Sequence, residues 1–255
     1  MALFDLTGRV ALVTGASSGL GKRFAQVLAR QGADVIITAR RFDRLEVLAK
    51  EIETTTGRRC LPLKCDAGME QEVIDTVAEA RRQFGRIDIL VNNAGIADSG
   101  NAEDTSGEAF DHVMNVNVNG VFFFAREVGK IMISQRYGRI INISSMYGLV
   151  GNKFSPALSY HTSKGAVMNL ARGLAAEWGK YNITVNNIGP GFFDSEMTGA
   201  FFNTPEFKAF VKDSTCLDRA GRDEELDTAL IFLAADESTY ITGQTIYVDG
   251  GWTAI

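Results

Sequence analysis

Short runs of β-branched and other apolar residues alternate with longer stretches of helical periodicity along the whole 255-residue chain. This alternation is typical of a parallel sheet covered by crossover helices, because strands buried on both faces are almost continuously apolar. Seven runs predict strands: Val10–Val13, Val35–Thr38, Leu61–Leu63, Ile89–Val91, Ile140–Ile143, Thr184–Ile188 and Thr245–Val248. Helices are predicted at Lys22–Gln31, Arg44–Glu53, Glu70–Phe84, Ala109–Ile133 and Pro156–Lys180. The predicted fold class is α/β, with one doubly wound parallel sheet.

The composition indicates one globular domain with a sizeable core. Apolar residues make up 45% of the chain and charged residues 22%, and no linker, repeat or low-complexity tract interrupts the alternation. We therefore expect residues 1–255 to form a single domain. With 26 Lys and Arg against 31 Asp and Glu, the net charge is −5 and no long basic run occurs. A nucleic acid is consequently not an expected partner.

The cysteines, the histidines and the N-terminal residues bear on metal binding and compartment. Three cysteines without a CxxC pair, and two isolated histidines, provide no zinc ligand set, and the sparse, odd cysteine count does not fit a disulfide framework. Residues 1–5 lack the pattern of a secretory signal, and no run reaches the ~18 apolar residues that span a bilayer. We expect a cytoplasmic protein with no bound metal and no membrane partner.

One segment departs from the alternation. About 30 residues, Phe192–Arg219, separate the sixth predicted strand from the last helical segment, a length that usually reflects a function. Six phenylalanines lie in it: Phe192, Phe193, Phe201, Phe202, Phe207 and Phe210. We predict a mobile flap of short helices that covers a pocket. The alternative is a helical pair packed permanently on the core.

A glycine-rich turn follows the first predicted strand and opens a helix. Its sequence is Thr14-Gly15-Ala16-Ser17-Ser18-Gly19-Leu20-Gly21. Glycines let the main chain approach a pyrophosphate, whose charge is stabilised by free N–H groups and by the helix dipole. The spacing is G-x-x-x-G-x-G rather than G-x-G-x-x-G. By itself the turn is therefore either a nucleotide site or an ordinary tight turn.

The second predicted strand ends in Thr38-Ala39-Arg40-Arg41, where an NAD-preferring site commonly offers a carboxylate to the ribose hydroxyls. Guanidinium groups at this position can instead bind a 2′-phosphate bidentately. We therefore predict NADP(H) in preference to NAD(H). The alternative is that Arg40 and Arg41 are solvated loop charges paired with Asp43 or Glu46.

Small and polar residues also follow the third and fourth predicted strands. Asp66 and Ala67 come after one strand, and Asn92-Asn93-Ala94-Gly95 after the other. Such sheets bind ligands beyond the carboxyl ends of their strands. There, a carboxylate can accept a hydrogen bond from an adenine amino group, and small residues can lie beside a ribose. Either motif could also simply end its strand.

Tyr160 and Lys164 lie four residues apart, after a strand that ends in Ile143-Ser144-Ser145. In a helix this spacing puts both side chains on one face, where the ammonium favours the ionised phenol. A tyrosine whose pKa falls from its usual value of about 10 can exchange protons nearer neutrality. The pair predicts an acid/base role for Tyr160, although Tyr-x-x-x-Lys also occurs by chance in many helices.

Taken together, seven motifs resemble those of the short-chain dehydrogenase/reductase family over essentially the full chain. They are Thr14–Gly21, Asp66, Asn92–Gly95, Asn117 within Asn117-Val118-Asn119-Gly120, Ser145, Tyr160 with Lys164, and Pro190-Gly191. The resemblance implies a seven-stranded Rossmann-like sheet and hydride transfer between a nicotinamide dinucleotide and an alcohol or ketone carbon. It also implies a homotetramer, or a homodimer, built through the helices at 109–133 and 156–180.

The resemblance further implies a catalytic set of four side chains. Tyr160 would exchange the proton with the substrate oxygen, and Ser145 would hydrogen-bond that oxygen. Lys164 would tune Tyr160 and hold the nicotinamide ribose, while Asn117 would support a water on the proton path. Ser144 remains an alternative to Ser145.

The cofactor site implied by the same motifs runs along the carboxyl edge of the sheet. It comprises Gly15, Ser17, Ser18, Gly19, Leu20, Gly21, Arg40, Arg41, Asp66, Ala67, Asn93, Ala94, Gly95, Tyr160, Lys164, Pro190, Gly191, Phe193 and Ser195. Ser195 stands where the family more often has a threonine that binds the nicotinamide amide. Ser18 stands where a basic residue would strengthen NADP binding, so the NADP prediction depends on Arg40 and Arg41.

The substrate is predicted less closely than the reaction. Candidate substrate-binding residues are Ser145, Met146, Tyr147, Tyr160 and Phe192. The segments 190–193, 196–198 and 219–221 are similar to those of the gluconate 5-dehydrogenase branch, which implies a sugar acid or polyol. The aromatic residues of the flap instead suit a bulkier apolar ketone, such as a hydroxysteroid or a 3-oxoacyl thioester. A catalytically silent NADP-binding sensor is a further alternative.

Overall fold

The computed structural model describes residues 3–153, 156–196 and 198–255, which contain a single seven-stranded sheet. The strands are β1 (Val10–Thr14), β2 (Asp34–Ala39), β3 (Cys60–Lys64), β4 (Ile89–Asn92), β5 (Gly138–Ile143), β6 (Ile183–Pro190) and β7 (Thr245–Val248). They are ordered β3-β2-β1-β4-β5-β6-β7, and every neighbouring pair is parallel. The predicted fold, a doubly wound α/β sheet of Rossmann type, is confirmed.

Helices cover both faces of this sheet. They are α1 (Gly19–Arg30), α2 (Phe42–Thr56), α3 (Glu70–Phe84), α4 (Gly107–Met114), α5 (Gly120–Gln135), α6 (Leu158–Trp178), α7 (Gly199–Phe202), α8 (Pro205–Ser214) and α9 (Asp227–Ala234). Glycines end α2 and α3: Gly57 and Gly85 have φ of 70° and 74°, a left-handed conformation that stops a helix. None of the helices in the described part of the chain is both long and apolar enough to span a membrane.

Two hydrophobic layers, one on each face, hold the helices on the sheet. Successive side chains of a strand point to opposite faces, so Val13 of β1 belongs to one layer and Leu12 to the other. The first layer includes Phe24, Leu45 and Leu230, from α1, α2 and α9; the second includes Val73, Phe124 and Ala171, from α3, α5 and α6. Full burial of a large apolar side chain contributes about 2 kcal/mol. The two layers thus hold the sheet rigid at its carboxyl edge, where polar residues are found.

A row of side-chain amides crosses four strands near that edge. Asn92 of β4 donates to Asn142 of β5 at 3.0 Å, Asn142 donates to Asn187 of β6 at 3.2 Å, and Asn187 donates to Thr245 of β7 at 3.1 Å. The three asparagines are at most 2% exposed. Buried amides are costly unless they are hydrogen-bonded, so the row stabilises only the observed strand register.

The sequence predicted one α-helix over Ala109–Ile133, and this is wrong at its centre. A π-helical turn, Asn115–Asn119, separates α4 from α5. The local contacts show a physical reason: the Nδ2 of Asn115 donates to the carbonyl of Gly68 at 3.0 Å, and a Cβ at Gly120 would lie 2.7 Å from the carbonyl oxygen of Ala67. These contacts hold the wider turn against the loop after β3. Such turns often occur at functional sites.

Candidate active site

A crevice of about 580 Å³ opens at the carboxyl edge of the sheet. β1 and β4 are neighbours there, and the chain leaves them in opposite directions, which is where ligands bind in doubly wound folds. The crevice is lined by all the predicted cofactor residues except Gly21, and by Ser145. It is also lined by Ser144, the alternative to Ser145, and by residues that the sequence did not predict as site residues: Thr38, Ala39, Cys65, Ile96, Ala97, Val116, Ile143, Glu196 and Thr198.

The glycine-rich turn is packed tightly against the end of β4. Gly15 has φ +66°, and a Cβ there would lie 2.8 Å from the Cα of Ala94. The Nδ2 of Asn93 donates to the carbonyls of Thr14 and Gly15, at 3.0 and 3.2 Å. A Cβ at Gly21 would meet the carbonyl oxygen of Gly15 and the Nδ2 of Asn93, so Gly21 supports the turn from behind.

The start of α1 is suited to an anion. Its first turn contains no acidic residue, and the side chain of Ser18, which precedes the helix, does not cap it. The first N–H groups and the positive end of the helix dipole therefore point toward the crevice without a protein carboxylate of that turn to satisfy them. This arrangement, together with the close glycine packing, fits a dinucleotide pyrophosphate.

The two predicted arginines lie at one end of the crevice. Arg41 donates to the hydroxyl of Ser17 at 3.1 and 3.2 Å and to that of Ser18 at 2.7 Å. Arg40 is 66% exposed and lies 4.0 Å from a carboxylate oxygen of Asp66. Arg41 also pairs with Glu196, at 2.8 Å. The alternative interpretation was that these arginines pair with Asp43 or Glu46. Among the described residues, neither arginine forms such a salt bridge.

At the other end, Tyr160 of α6 meets Ser145, which follows β5. Burial raises the pKa of Tyr160, and its interaction with the side chain of Ser145 opposes the increase. Ser145 also accepts the N–H of Tyr147 at 3.1 Å, which fixes its rotamer. The hydroxyl of Ser144 instead donates to the carbonyl of Ile188 at 3.0 Å and is thereby engaged by the sheet. The geometry therefore favours Ser145 over Ser144 as the partner of Tyr160.

Lys164 lies one helical turn after Tyr160 and on the same face. Its Nζ lies 5.4 Å from the centre of the Tyr160 ring and donates to the carbonyl of Ile143 at 2.7 Å. The side chain is buried, and this burial lowers the pKa of Lys164 to about 8. Both side chains line the crevice, as the i, i+4 spacing predicted.

Asn117, in the π-helical turn, connects the loop after β4 to α6. Its Oδ1 accepts the N–H of Ile96 at 2.8 Å, and its Nδ2 donates to the carbonyl of Ile96 at 2.8 Å and to the hydroxyl of Ser163 at 3.0 Å. Ser163 in turn donates to the carbonyl of Tyr160 at 2.8 Å. A Cβ at Gly95 would lie 3.3 Å from the Oδ1 of Asn117 and 3.5 Å from the Nζ of Lys164. Asn117 is therefore linked to the helix that carries Tyr160 and Lys164.

The predicted substrate residues have mixed positions. Met146 and Phe192 are buried, 2% and 7% exposed, in a cluster that includes Phe207, Phe210 and Trp252. Tyr147 stacks on His161 with ring centres 4.6 Å apart, and its edge faces Tyr160 at 6.4 Å. Met146, Tyr147 and Phe192 are not among the residues that line the crevice.

The predicted flap contains α7 and α8, and its aromatic side chains pack largely on one another. Phe192 makes edge-to-face contacts with Phe207, Phe210 and Trp252, at 5.4, 5.6 and 5.1 Å between ring centres. Met197 and the side chain of Phe201 lie outside the described residues. The observed packing agrees with the interpretation of a helical pair set on the core. The mobility of the flap remains a prediction.

Comparison with known proteins identifies the family. A family profile described as enoyl-(acyl carrier protein) reductase matches residues 15–253, nearly the whole chain. The chain belongs to the short-chain dehydrogenase/reductase family.

Relatives of this short-chain dehydrogenase/reductase match it from end to end. Gluconate 5-dehydrogenase of Gluconobacter oxydans is 38% identical over 98% of this chain and 97% of that protein. A 3-oxoacyl-[acyl-carrier-protein] reductase of Thermotoga maritima is 37% identical over 96% and 98%. The crystal structure of a gluconate 5-dehydrogenase from Burkholderia cenocepacia, in complex with NADP and tartrate, superposes with a TM-score of 0.95 at 34% identity, covering 99% and 98%. The resemblance to a family of oxidoreductases is thus confirmed.

Three polar residues of this short-chain dehydrogenase/reductase site were missed by sequence reasoning. Glu196 binds Arg41 and Arg44, at 2.8 and 2.6 Å. Asp98 accepts the main-chain N–H of Tyr160 at 3.2 Å. The position of Arg44, one helical turn after Arg41, could have indicated a third guanidinium at the same place. Glu196 and Asp98 carry no such signal, because their partners are 155 and 62 residues away.

Proposed function

We propose that this protein is an NADP(H)-dependent oxidoreductase that interconverts a secondary alcohol and a ketone, with Tyr160 as its acid/base. The observation that carries this proposal is the convergence of Ser145, Tyr160 and Lys164 in one crevice, with the Nζ of Lys164 5.4 Å from the centre of the Tyr160 ring. A phenol, a hydroxyl and a cation that converge in one crevice can hold a carbonyl oxygen and move a proton to it.

The residues present fit a nicotinamide dinucleotide. The close glycine packing at Gly15 and Gly21 leaves the main-chain N–H groups accessible, and the start of α1 has no acid in its first turn. Lys164 and Tyr160 would hold the nicotinamide ribose, and Ser195, on the loop after β6, would hold the amide. The bound cofactor supplies or accepts the hydride.

In the reductive direction, Ser145 and Tyr160 hydrogen-bond the carbonyl oxygen of the substrate. Charge develops on this oxygen only as the reaction proceeds, so both donors stabilise the transition state more than the ground state. Tyr160 gives its proton to the oxygen. Lys164 stabilises the phenolate that results, and we propose that Asn117 supports a water through which the proton is replaced from solvent.

The preference for NADP(H) rests on Arg40 and Arg41. The guanidinium of Arg41 lies beside Ser17 and Ser18, and that of Arg40 lies near Asp66. An opposite charge at ~4 Å is worth roughly 4 kcal/mol at an effective dielectric of 20, before desolvation. Even a third of this value would decide between the two cofactors. The Burkholderia cenocepacia relative was solved with NADP, which supports the same preference here.

For the substrate, a sugar acid or a polyol is our first candidate. Full-length similarity to gluconate 5-dehydrogenases supports it. The aromatic residues of the flap favoured a bulkier apolar ketone. Most of them are in contact with one another, so they serve packing and are not free to contact a substrate. A hydroxysteroid or 3-oxoacyl substrate remains the second candidate, since a 3-oxoacyl reductase is also among the relatives.

The proposal also covers the domain, its assembly and its compartment. Residues 1–255 would form one catalytic domain, with residues 192–219 as its substrate flap. Exposed apolar side chains on α5 and α6, Phe122 at 40% and Leu158 at 47%, support association of copies through these helices into a homotetramer or a homodimer. We expect the assembly to work in the cytoplasm on small-molecule substrates.

A substrate panel with both cofactors tests the proposal. We expect gluconate and related polyols to reduce NADP⁺ faster than NAD⁺, and Arg41→Gln to weaken NADP⁺ binding without weakening NAD⁺ binding. Arg81→Gln, an exposed arginine of α3, is the matched control. NADPH binding without turnover of any alcohol or ketone would instead indicate a silent sensor. Preferred turnover of a steroid or 3-oxoacyl thioester would replace the substrate class alone.

A further inference from the structure

Two arginines and a serine at one end of the crevice hold a carboxylate of the chain itself. Arg41 donates to one oxygen of Glu196 at 2.8 Å, Arg44 donates to the other at 2.6 Å, and the hydroxyl of Ser18 donates at 2.9 Å. Glu196 lies on the loop after β6, whereas Ser18 directly precedes α1, Arg41 directly precedes α2 and Arg44 lies in the first turn of α2. The loop and the glycine-rich turn are therefore tied together by an anion.

The same donors suit a phosphate. Guanidinium and hydroxyl groups that converge on several oxygens are the usual partners of phosphate groups. Arg41 belongs to the predicted 2′-phosphate site, and Ser18 to the predicted cofactor site. The hydrogen bonds from Arg41, Arg44 and Ser18 lower the pKa of Glu196 to about 2. Glu196 is consequently an anion throughout the physiological pH range.

We infer that Glu196 is an internal competitor of the cofactor's 2′-phosphate, and that it reduces the discrimination between NADP(H) and NAD(H). The inference rests on the proposed cofactor. A phosphate and a carboxylate that share two arginines repel one another, so the phosphate binds in the state in which Glu196 has moved away. NAD(H) has an uncharged hydroxyl in place of the 2′-phosphate and leaves the ion pairs intact.

The exposure of the cluster agrees with an exchangeable contact. The side chains of Arg41, Arg44 and Glu196 are 42%, 47% and 53% exposed, so the ion pairs are screened by water and break easily. Glu196 directly follows Ser195, and a Cβ at Gly19 would lie 3.8 Å from the Cβ of Ser195. Displacement of Glu196 by a phosphate therefore also breaks its hydrogen bond with Ser18, which links the loop that carries Ser195 to the residue before α1.

Binding titrations of the whole protein test this inference without any turnover. The probes are 2′,5′-ADP and 5′-AMP, which differ in the 2′-phosphate, and NADPH and NADH. We expect Glu196→Gln to tighten 2′,5′-ADP and NADPH by about fivefold and to change 5′-AMP and NADH by less than about twofold, because the competing state is removed only for the 2′-phosphate ligands. Glu79→Gln, which removes another exposed carboxylate paired with an arginine, is the matched control and should change none of the four.

A second comparison isolates the shared arginines. In an Arg41→Gln/Arg44→Gln background, we expect Glu196→Gln to change the affinity for 2′,5′-ADP by less than about twofold, since the two arginines for which the carboxylate and the phosphate compete are gone. Weaker 2′,5′-ADP binding by Glu196→Gln would overturn the inference and show that Glu196 orients the arginines for the phosphate. Equal tightening of 2′,5′-ADP and 5′-AMP would also overturn it, in favour of a general charge effect. Absence of alcohol oxidation by a protein that gives the expected titrations would refute the proposed function alone.

Discussion

The main-chain N–H of Tyr160 donates a hydrogen bond to the carboxylate of Asp98, with 3.2 Å between the nitrogen and Oδ1. Tyr160 lies in the first turn of α6, which begins at Leu158, so Asp98 satisfies one of the N–H groups that a helix leaves unpaired at its start. A carboxylate is also favoured by the helix dipole at this place. Asp98 therefore joins the loop after β4 to the helix that carries the phenol.

We expect Asp98→Ala to lower kcat about tenfold, because a small displacement of Tyr160 misaligns its phenol with the substrate oxygen. The lost cap should cost about 1 kcal/mol of stability. Asp98→Asn keeps an oxygen acceptor and should restore most of kcat. Steady-state kinetics and thermal melts of both variants provide the measurement. An Asp98→Ala enzyme with unchanged kcat, or an Asp98→Asn enzyme as slow as it, would contradict the positioning role.

Tyr160→Phe removes the proton donor and leaves the ring. We expect the variant to fold and still to bind NADPH through its remaining contacts, while kcat in both directions falls by a factor of about 10² to 10⁴, the usual contribution of general acid–base catalysis. Tyr240→Phe is the control, since Tyr240 is fully exposed. Cofactor titration together with initial rates separates the two effects. Retained turnover by Tyr160→Phe would remove Tyr160 from the mechanism.

The two directions of the reaction should depend on pH in opposite ways. Reduction needs the protonated phenol, which is favoured because burial raises the pKa of Tyr160, so its rate should fall only at alkaline pH. Alcohol oxidation needs the phenolate and should become faster as pH rises. Lys164, with its pKa lowered to about 8, supports the phenolate while it keeps its own proton, and the apparent pKa of the profile belongs to the pair.

Lys164→Met should therefore displace the rising limb of the oxidation profile by about one pH unit to the alkaline side, because the stabilising charge is gone. Profiles of kcat/KM for oxidation by the wild type and the variant provide the measurement. Lys180→Met, on the exposed surface beyond α6, is the control for the loss of a lysine. Superimposable profiles for wild type and Lys164→Met would show that Lys164 does not tune Tyr160.

The aromatic cluster under the flap should matter for stability. Phe207 is 2% exposed and contacts Phe192 with ring centres 5.4 Å apart. Replacement of a buried phenylalanine by alanine typically costs about 3 to 5 kcal/mol, so Phe207→Ala should lower the thermal midpoint clearly. Leu217→Ala, at a flap position that is 59% exposed, is the control and should change it little. Equal midpoints for the two variants would show that the cluster does not anchor the flap to the core.

The elements that repeat a simple period could be predicted from the sequence. All seven predicted strands are present within about two residues of their expected ends, and α3 has the predicted bounds, because buried strands and amphipathic helices have patterns set by local geometry. The pairing of Tyr160 with Lys164 was accessible for the same reason. The break between α4 and α5 was not, since it depends on Asn115 meeting the loop after β3.

The charged contacts of the site show most clearly what could not be predicted from the sequence. Arg41 could be found from its place at the end of a strand, but nothing near Glu196 indicates that it reaches back over 155 residues to this arginine. The flap is also rich in phenylalanine, a composition that suits either a pocket wall or a small core. Only the mutual contacts of these side chains, such as that of Phe192 with Phe207, distinguish these possibilities.

The π-helical turn at Asn115–Asn119 sets the rotational phase of all that follows in α5. One residue advances an α-helix by about 100°, and a π turn contains one residue more than an α turn. Deletion of a single residue from this turn would swing the buried side chains of Phe124, Val128 and Met132 away from the sheet by that angle. A related protein without the extra residue could thus keep either the orientation of Asn117 or the packing of α5. It would need further substitutions to restore whichever of the two was lost.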